Sequence, residues 1–379
     1  MSKNKLILIG TAWPFRGGLA AYNERLAQEF QRQDFEVVIY TFTIQYPGFL
    51  FPGKTQMADW SAPENLDIRQ EVNSINPFNW IKVGRKIKRE KADIVLIKYW
   101  LPFMGPCFGT IARRIKRNKK SKIVTILDNI IPHEKRPGDK LFTRYFIKPV
   151  DAFVAMSNAV LDDSRKFDTR KPRSYCPHPL FDNFGENISK DKAKKYLGLD
   201  SNSRYALFFG FIREYKGLDL ALRAFAEQNV QKHNLKLLIA GEFYDNEDKY
   251  QALINELNIT DFIELRSDFI ADNEVKYYFS AADLAIQPYK SATQSGISQI
   301  AYHFNTPMIV TNVGGLPEIV PDGKVGFVVE KSGSAIAEAI DRFYSEDMET
   351  TFRKGAEAEK IKYSWKRMYN TIVDLKEQI

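Results

Sequence analysis

The stretch KLILIGTAWPFRGGLAAYNERLAQEFQRQDFEVVIYTFT, residues 5–43, decides the fold class. Leu6 to Ile9 is a short apolar run stopped by Gly10, the pattern of a strand buried on both faces. From Leu19 the period changes. Leu19, Tyr22, Leu26 and Phe30 recur at spacings of three and four with polar residues between them, which predicts an amphipathic helix over Leu19 to Gln33. Val37 to Thr43 is again an apolar, β-branched run. Strand, glycine loop, helix and strand make the repeating unit of a doubly wound parallel sheet.

The same alternation runs outward from this stretch. Further strands are predicted at Ile94 to Ile97, Ile123 to Leu127 and Phe153 to Met156. The second half repeats the scheme with strands at Ala206 to Phe209, Leu235 to Ala240, Ile263 to Leu265, Leu284 to Ile286, Met308 to Val310 and Phe327 to Val329. Helices are predicted between them at Leu218 to Glu227, Tyr250 to Leu257, Asn273 to Ala282 and Ser298 to Phe304, with Ala335 to Phe343 after the last strand. Three prolines within Arg170 to Asn187 bias the residues before them to extended conformations, and the linker is placed there. The expected domains are 1–175 and 188–360. A final helix is predicted over Met348 to Gln378, of which residues 361–379 are expected to pack back on the first domain.

Composition fits that scheme. The chain has 379 residues, 44% hydrophobic and 27% charged, which suits two globular domains and excludes a disordered chain. Cys107 and Cys176 stand far apart, so neither a disulfide framework nor a thiolate zinc site is expected, and a cytoplasmic setting is. No apolar run approaches the ~20 residues that a membrane span needs. The net charge of +8 conceals an asymmetry: residues 1–180 hold 31 Lys and Arg against 17 Asp and Glu, a net of +14, and the remainder has a net of −6. An anionic partner of the first half follows, whether nucleic acid, phospholipid or phosphorylated substrate.

In parallel sheets ligands bind beyond the carboxyl ends of the strands, so the residues just after each strand carry the chemistry. Gly10-Thr-Ala-Trp-Pro-Phe-Arg-Gly17-Gly18 opens a helix, and its paired glycines let backbone N–H groups approach a phosphate. A nicotinamide site is disfavoured, because Gly-x-Gly-x-x-Gly is absent and Thr41-Phe-Thr43 ends the second strand without an acidic residue. Gly210-Phe-Ile-Arg213-Glu-Tyr-Lys216-Gly217 sets two cations in one short loop, a pairing suited to a diphosphate, although a solvated loop has the same composition. Tyr289-Lys-Ser-Ala-Thr293-Gln294-Ser295-Gly296 runs into a helix and offers backbone amides with polar side chains. Gly314-Gly315-Leu-Pro-Glu318 follows another strand and holds an acceptor for sugar hydroxyls.

In this order the four signals resemble the family-four retaining glycosyltransferases, over nearly the whole chain. The resemblance implies an α/β chain of two Rossmann-like doubly wound domains facing a cleft, the arrangement called GT-B. It implies that the second domain binds a nucleotide-sugar and the first an acceptor, with transfer by retention. Donor contacts are then expected from Gly17, Gly18, Arg213, Lys216, Thr293, Gln294, Ser295, Gly296, Gln299, Gly315 and Glu318.

The chain also departs from the family. Phe211 stands where the family has arginine, so Arg213 takes that role. The two glutamates of the family's Glu-x-x-x-x-x-x-x-Glu element fall on Ala292 and Ile300, and Thr293 to Gly296 with Gln299 stand in for them. The family histidine falls at Leu127 or Asp128, which leaves Asp128 and His133 as candidates for the active-site role, against a structural histidine beside a capped turn. No Asp-x-Asp occurs, so no metal and no cofactor are expected. The acceptor is expected to be a glycan or lipid-linked, in surface polysaccharide synthesis, with the basic first half on an anionic membrane surface through Lys82 to Lys91 and Arg113 to Lys122. A nucleotide-sugar epimerase of the same fold is one alternative. A nucleic-acid-binding protein is another, although known binding modules and interleaved aromatics are missing and no nucleic acid is expected.

Overall fold

The computed structural model describes residues 3–47, 56–58, 61–132, 136–292 and 295–379. The chain forms two units, one of Met1–Pro179 with Ser364–Ile379 and one of Leu180–Tyr363. Among the described residues the first unit holds a seven-stranded sheet: β1 Lys5–Ile9, β2 Glu36–Ile44, β3 Asp67–Asn73, β4 Ile94–Tyr99, β5 Lys122–Leu127, β6 Ala152–Ala155 and β7 Arg173–Tyr175. Their order is β3-β2-β1-β4-β5-β6-β7, with every pair parallel. The second unit holds β8 Arg204–Phe209, β9 Leu235–Ala240, β10 Ile263–Arg266, β11 Leu284–Gln287, β12 Met308–Thr311 and β13 Gly326–Val329. Here the order is β10-β9-β8-β11-β12-β13, again parallel throughout. In each sheet the chain runs outward one way from the first strand and then the other way from the fourth, which is the doubly wound order.

Helical crossovers cover both faces of such a sheet, so its central strands meet no water. All six residues of β4 are buried, as are the last five of β5 and of β8. Helix Gly18–Arg32 turns Tyr22, Leu26 and Phe30 inward, as its period predicts. Each such burial contributes roughly 1.5–3 kcal/mol.

Three sequence expectations need correction. β3, DIRQEVN, has no apolar run because it is a sheet edge with one buried residue, Val72. β7 lies inside the expected linker and pairs with β6 at the opposite edge. Both edges are short or polar, which blunts pairing with other chains. The expected helix over Met348 to Gln378 is two helices, Glu349–Glu359 and Trp365–Glu377. Ser364 makes the break: it is extended, and its hydroxyl accepts from the Arg367 N–H at 3.3 Å as the cap of the new helix.

The last helix belongs to the first unit. Trp365, Met368, Ile372 and Leu375 form its buried stripe. Trp365 packs on Tyr22 with ring centroids 5.1 Å apart, and Tyr369 packs on Phe30 at 4.9 Å. Ile372→Ala empties a wholly buried position on this stripe, and we expect the first unit to lose about 2–5 kcal/mol in urea unfolding. A loss below about 1 kcal/mol would show the helix to be a loose appendage.

Candidate functional site

Each sheet reverses its winding between two neighbouring strands, β1 and β4 in the first unit and β8 and β11 in the second, and a crevice opens at the carboxyl ends there. In the second unit three loops meet at that edge, and two glycines allow it. Gly217, at φ 70°, sits so close to the loop after β11 that a Cβ would lie 2.0 Å from the Pro288 carbonyl oxygen. At Gly314, φ 53°, a Cβ would lie 1.5 Å from the Ala292 carbonyl oxygen. No side chain fits at either position. These glycines thus bring the segments that carry Arg213 and Glu318 against Pro288 and Ala292 of the chain after β11.

Lys216 is buried in this junction, 8% exposed, with its Nζ 3.0 Å from where a Cβ on Gly210 would stand and 5.9 Å from the Tyr289 ring. Among the described residues its ammonium forms no hydrogen bond or ion pair. Burial, aided by the charge of Arg213, lowers its pKa to about 7. Arg213 is exposed and lies over the Tyr244 ring at 5.0 Å. Phe211, at the family's arginine position, stacks on the other side of this group against Tyr244 at 4.4 Å and Phe269 at 6.2 Å. Burial also raises the Tyr289 hydroxyl, and it pushes the half-buried Asp272, on the loop after β10, up to about 6.

Ser295 caps helix Gly296–His303, accepting from the Ser298 N–H at 3.4 Å. The Ser295 and Ser298 hydroxyls both donate to Gln287 Oε1, at 2.7 and 2.9 Å. Among the described residues Gln287 Nε2 is then buried without a partner, as are Nε2 and Oε1 of Gln299, which is wholly buried. An amide left so costs about 1–3 kcal/mol, a penalty that a bound hydroxyl-rich ligand removes. Gln287 escaped the sequence reading, although a glutamine ending the apolar strand Leu284–Gln287 is itself a signal. Gly315 is buried at the start of the short helix Leu316–Ile319, and Glu318 is exposed on it. Thr293, Gln294 and His133 lie outside the described residues.

In the first unit Gly17, at φ 98°, precedes helix Gly18–Arg32, and its carbonyl accepts from the Ala20 and Ala21 N–H groups at 3.0 and 3.1 Å. Asp128 follows β5 and is half-buried, and it accepts from the Lys98 ammonium at 2.8 Å. Lys98 also escaped the sequence reading. It is 2% exposed on β4, its Nζ stands 3.4 Å above the Tyr22 ring, and burial lowers its pKa against the pull of Asp128. His178, 5.0 Å from Tyr22, is held down to about 3 by burial and by the Lys98 charge, so it is neutral. Around this pair Thr11 Oγ1, Tyr22 OH, Asn23 Oδ1 and Asn129 Oδ1 are buried without partners among the described residues.

Two stability measurements check these charges. Below pH 7 both folded and unfolded chains hold the Lys216 proton, and the folded state bears the full cost of the buried charge. Between about 7 and 10.5 the folded state sheds a proton that the unfolded state keeps, so stability rises with pH. Lys216→Met is therefore expected to melt above wild type below pH 7, with the gap closing towards pH 10.5; a gap independent of pH overturns the assignment. Asp128→Ala leaves the Lys98 charge unpaired and is expected to cost about 3–5 kcal/mol, whereas Lys98→Met with Asp128→Leu stays near wild type. Equal losses in the single and double variants would deny the coupling.

Comparison with known proteins bears on both units. Residues 16–176 match the family model described as Glycosyltransferase Family 4, and residues 189–361 match that of Glycosyl transferases group 1. D-inositol 3-phosphate glycosyltransferase of Streptomyces avermitilis is 25% identical over 223 residues, 56% of this chain and 48% of its own. The Streptomyces coelicolor protein of that name is 25% identical over 245 residues, 62% of this chain and 51% of its own. The chain thus spans about half the length of the curated relatives it matches. Among solved structures, sucrose-phosphate synthase of Thermosynechococcus elongatus aligns with a TM-score of 0.76 at 15% identity, over 99% of both chains. HepE of Anabaena, in complex with UDP and glucose, aligns with a TM-score of 0.75 at 13% identity, over 99% of this chain and 100% of that one. With a glycosyltransferase model on each unit and GT-B neighbours along its whole length, the chain belongs with the GT-B glycosyltransferases and resembles family four.

Proposed function

We propose that the protein transfers a sugar from a nucleotide-sugar to a glycan or lipid-linked acceptor with retention, in surface polysaccharide synthesis, at the inner face of a membrane. The observation that carries the reading is Lys216, a buried ammonium with no counter-charge among the described residues, in a loop it shares with Arg213. A donor diphosphate supplies the missing anion. Its growing charge as the sugar departs is met by Lys216, Arg213 and the N-terminus of helix Gly296–His303, without a metal ion or cofactor. The reading of metal independence rests on the sequence, in which no Asp-x-Asp occurs. Gln299 and Gln287 offer neutral amides to sugar or ribose hydroxyls, Glu318 a carboxylate, and Thr293 to Gly296 the backbone of the loop. Gly17 and Gly18 open the helix of the first unit to the donor, and Asp128 and His133 hold the sugar or the acceptor. The solved neighbour named with UDP supports a uridine donor, and the inositol phosphate relatives support a polyol acceptor.

The test is a thermal-shift panel of nucleoside diphosphates and their sugars. A true ligand at 100 times its dissociation constant stabilises by ~2.7 kcal/mol. Because the anion raises the Lys216 pKa, binding between about pH 7 and 10.5 takes up a proton, seen in calorimetry as a buffer-dependent enthalpy. Lys216→Met is expected to abolish the uptake and to lower transfer by roughly two to three orders of magnitude. No shift with any nucleotide overturns the reading. An altered sugar nucleotide formed from donor alone would mark an epimerase instead.

A further inference from the structure

Helix Asp139–Ile147 of the first unit turns Thr143, Phe146 and Ile147 inward, where Phe146 stacks on Tyr99 at 4.4 Å and Thr143 bonds the Tyr99 hydroxyl at 3.0 Å. At 100° per residue the opposite arc carries two adjacent stripes. Lys140, Arg144 and Lys148, at i, i+4 and i+8, are all exposed. Beside them stand Leu141, 68% exposed, Tyr145, 38%, and Phe142, 37%. The acid of the helix, Asp139, is turned to its N-terminus, where it accepts from the Arg136 N–H at 2.7 Å.

The two basic blocks singled out from the sequence differ in both respects. Their apolar members Val83, Ile87, Ile111 and Ile115 face the core, and Ile81 is half-buried. Several of their cations are already matched: Lys86 with Glu71, Lys116 with Asp151 at 2.8 Å, and Lys120 with Asp93 at 3.0 Å. Lys140, Arg144 and Lys148 form no ion pair among the described residues.

We infer that this helix lies in the interface of an anionic bilayer, its lysines and arginine on the headgroups and Leu141 and Phe142 in the acyl boundary, with Tyr145, whose ring carries Arg113 at 3.7 Å and whose hydroxyl bonds Thr110 at 2.9 Å, at the level of the headgroups beside them. Cations and apolar side chains sharing one exposed arc fit that boundary, which offers negative charge and hydrocarbon within ~10 Å of each other. A protein surface or a nucleic acid supplies the charge without the hydrocarbon depth. The helix begins beyond the carboxyl end of β5, because in a parallel fold the chain leaves each strand at that edge, so its first turn lies on the side of the Asp128 group. The inference names the surface for the acceptor reading above.

The experiment is sedimentation with vesicles of phosphatidylcholine alone and of phosphatidylcholine with phosphatidylglycerol. Native protein is expected to bind only the mixed vesicles and to be released by salt. Lys140→Gln with Arg144→Gln and Lys148→Gln should lower the partition coefficient about a hundredfold, and Leu141→Glu about tenfold. The equally charged control Lys82→Gln, Arg85→Gln and Arg89→Gln should retain most of the binding. Circular dichroism melts identify any variant that is not folded. Equal binding to neutral vesicles, a control as defective as the helix variant, full competition by plain DNA, or a concentration-dependent dimer that Leu141→Glu dissolves would each overturn the inference. The nucleotide shift keeps the two readings apart: it should survive in the helix variant, and its absence from native protein that still binds vesicles sinks the transferase reading alone.

Discussion

A strand can pair in parallel with its neighbour only if the chain returns to the edge where it started, and that return sets most of what this protein can do. The helices that make it cover both faces of each sheet, so strands such as β4 become apolar or carry a charged side chain only where a partner compensates it. Lys98 is that exception. Chemistry is pushed to the carboxyl edge, where loops leave the strands and helices begin, and Lys216, Arg213, Gln287 and Asp128 all stand at or beside the ends of strands.

At that edge the two units solve the same problem with opposite charge balance. In the first unit a lysine and an aspartate compensate each other over a tyrosine ring, which leaves hydroxyl and amide groups as the unsatisfied parties. In the second unit a lysine is buried with a like charge nearby and, among the described residues, no carboxylate paired with it. The first arrangement favours a neutral, hydroxyl-rich guest and the second an anion. Where the family keeps two glutamates this chain has Ala292 and Ile300, and the polar atoms left are the amides of Gln287 and Gln299, which recognise hydroxyls without adding a charge.

The fold was legible wherever burial was complete, because a strand covered on both faces must be apolar at each position, as Leu6 to Ile9 and Leu235 to Ala240 are. It failed at the edges. Asp67–Asn73 and Arg173–Tyr175 pair on one side only, so their residues answer to solvent as much as to the sheet. The site was legible in its loops and not in its strands. Glycines drew the reading to Gly210 to Gly217 and Gly314 to Gly315, but the reason for Gly217 and Gly314 is the approach of one loop's backbone to another's, at Pro288 and Ala292, which no local pattern contains. Lys98 and Gln287 are single polar residues at the ends of apolar runs, and only the pairing of strands brings them their partners. The break at Ser364 is likewise local in cause, a serine cap, yet invisible in a stretch that is helical in composition on both sides.

The first unit is discontinuous in sequence: a stripe of its core is Trp365 to Leu375, reached only after the whole second unit has been traversed. During synthesis the ribosome therefore releases Tyr22 and Phe30 hundreds of residues before the rings that cover them exist. The second unit, continuous from Leu180 to Tyr363, can close on itself while the first still waits with an open seam. Nascent chains of this protein must spend that interval with an exposed aromatic strip, a natural landing place for a chaperone.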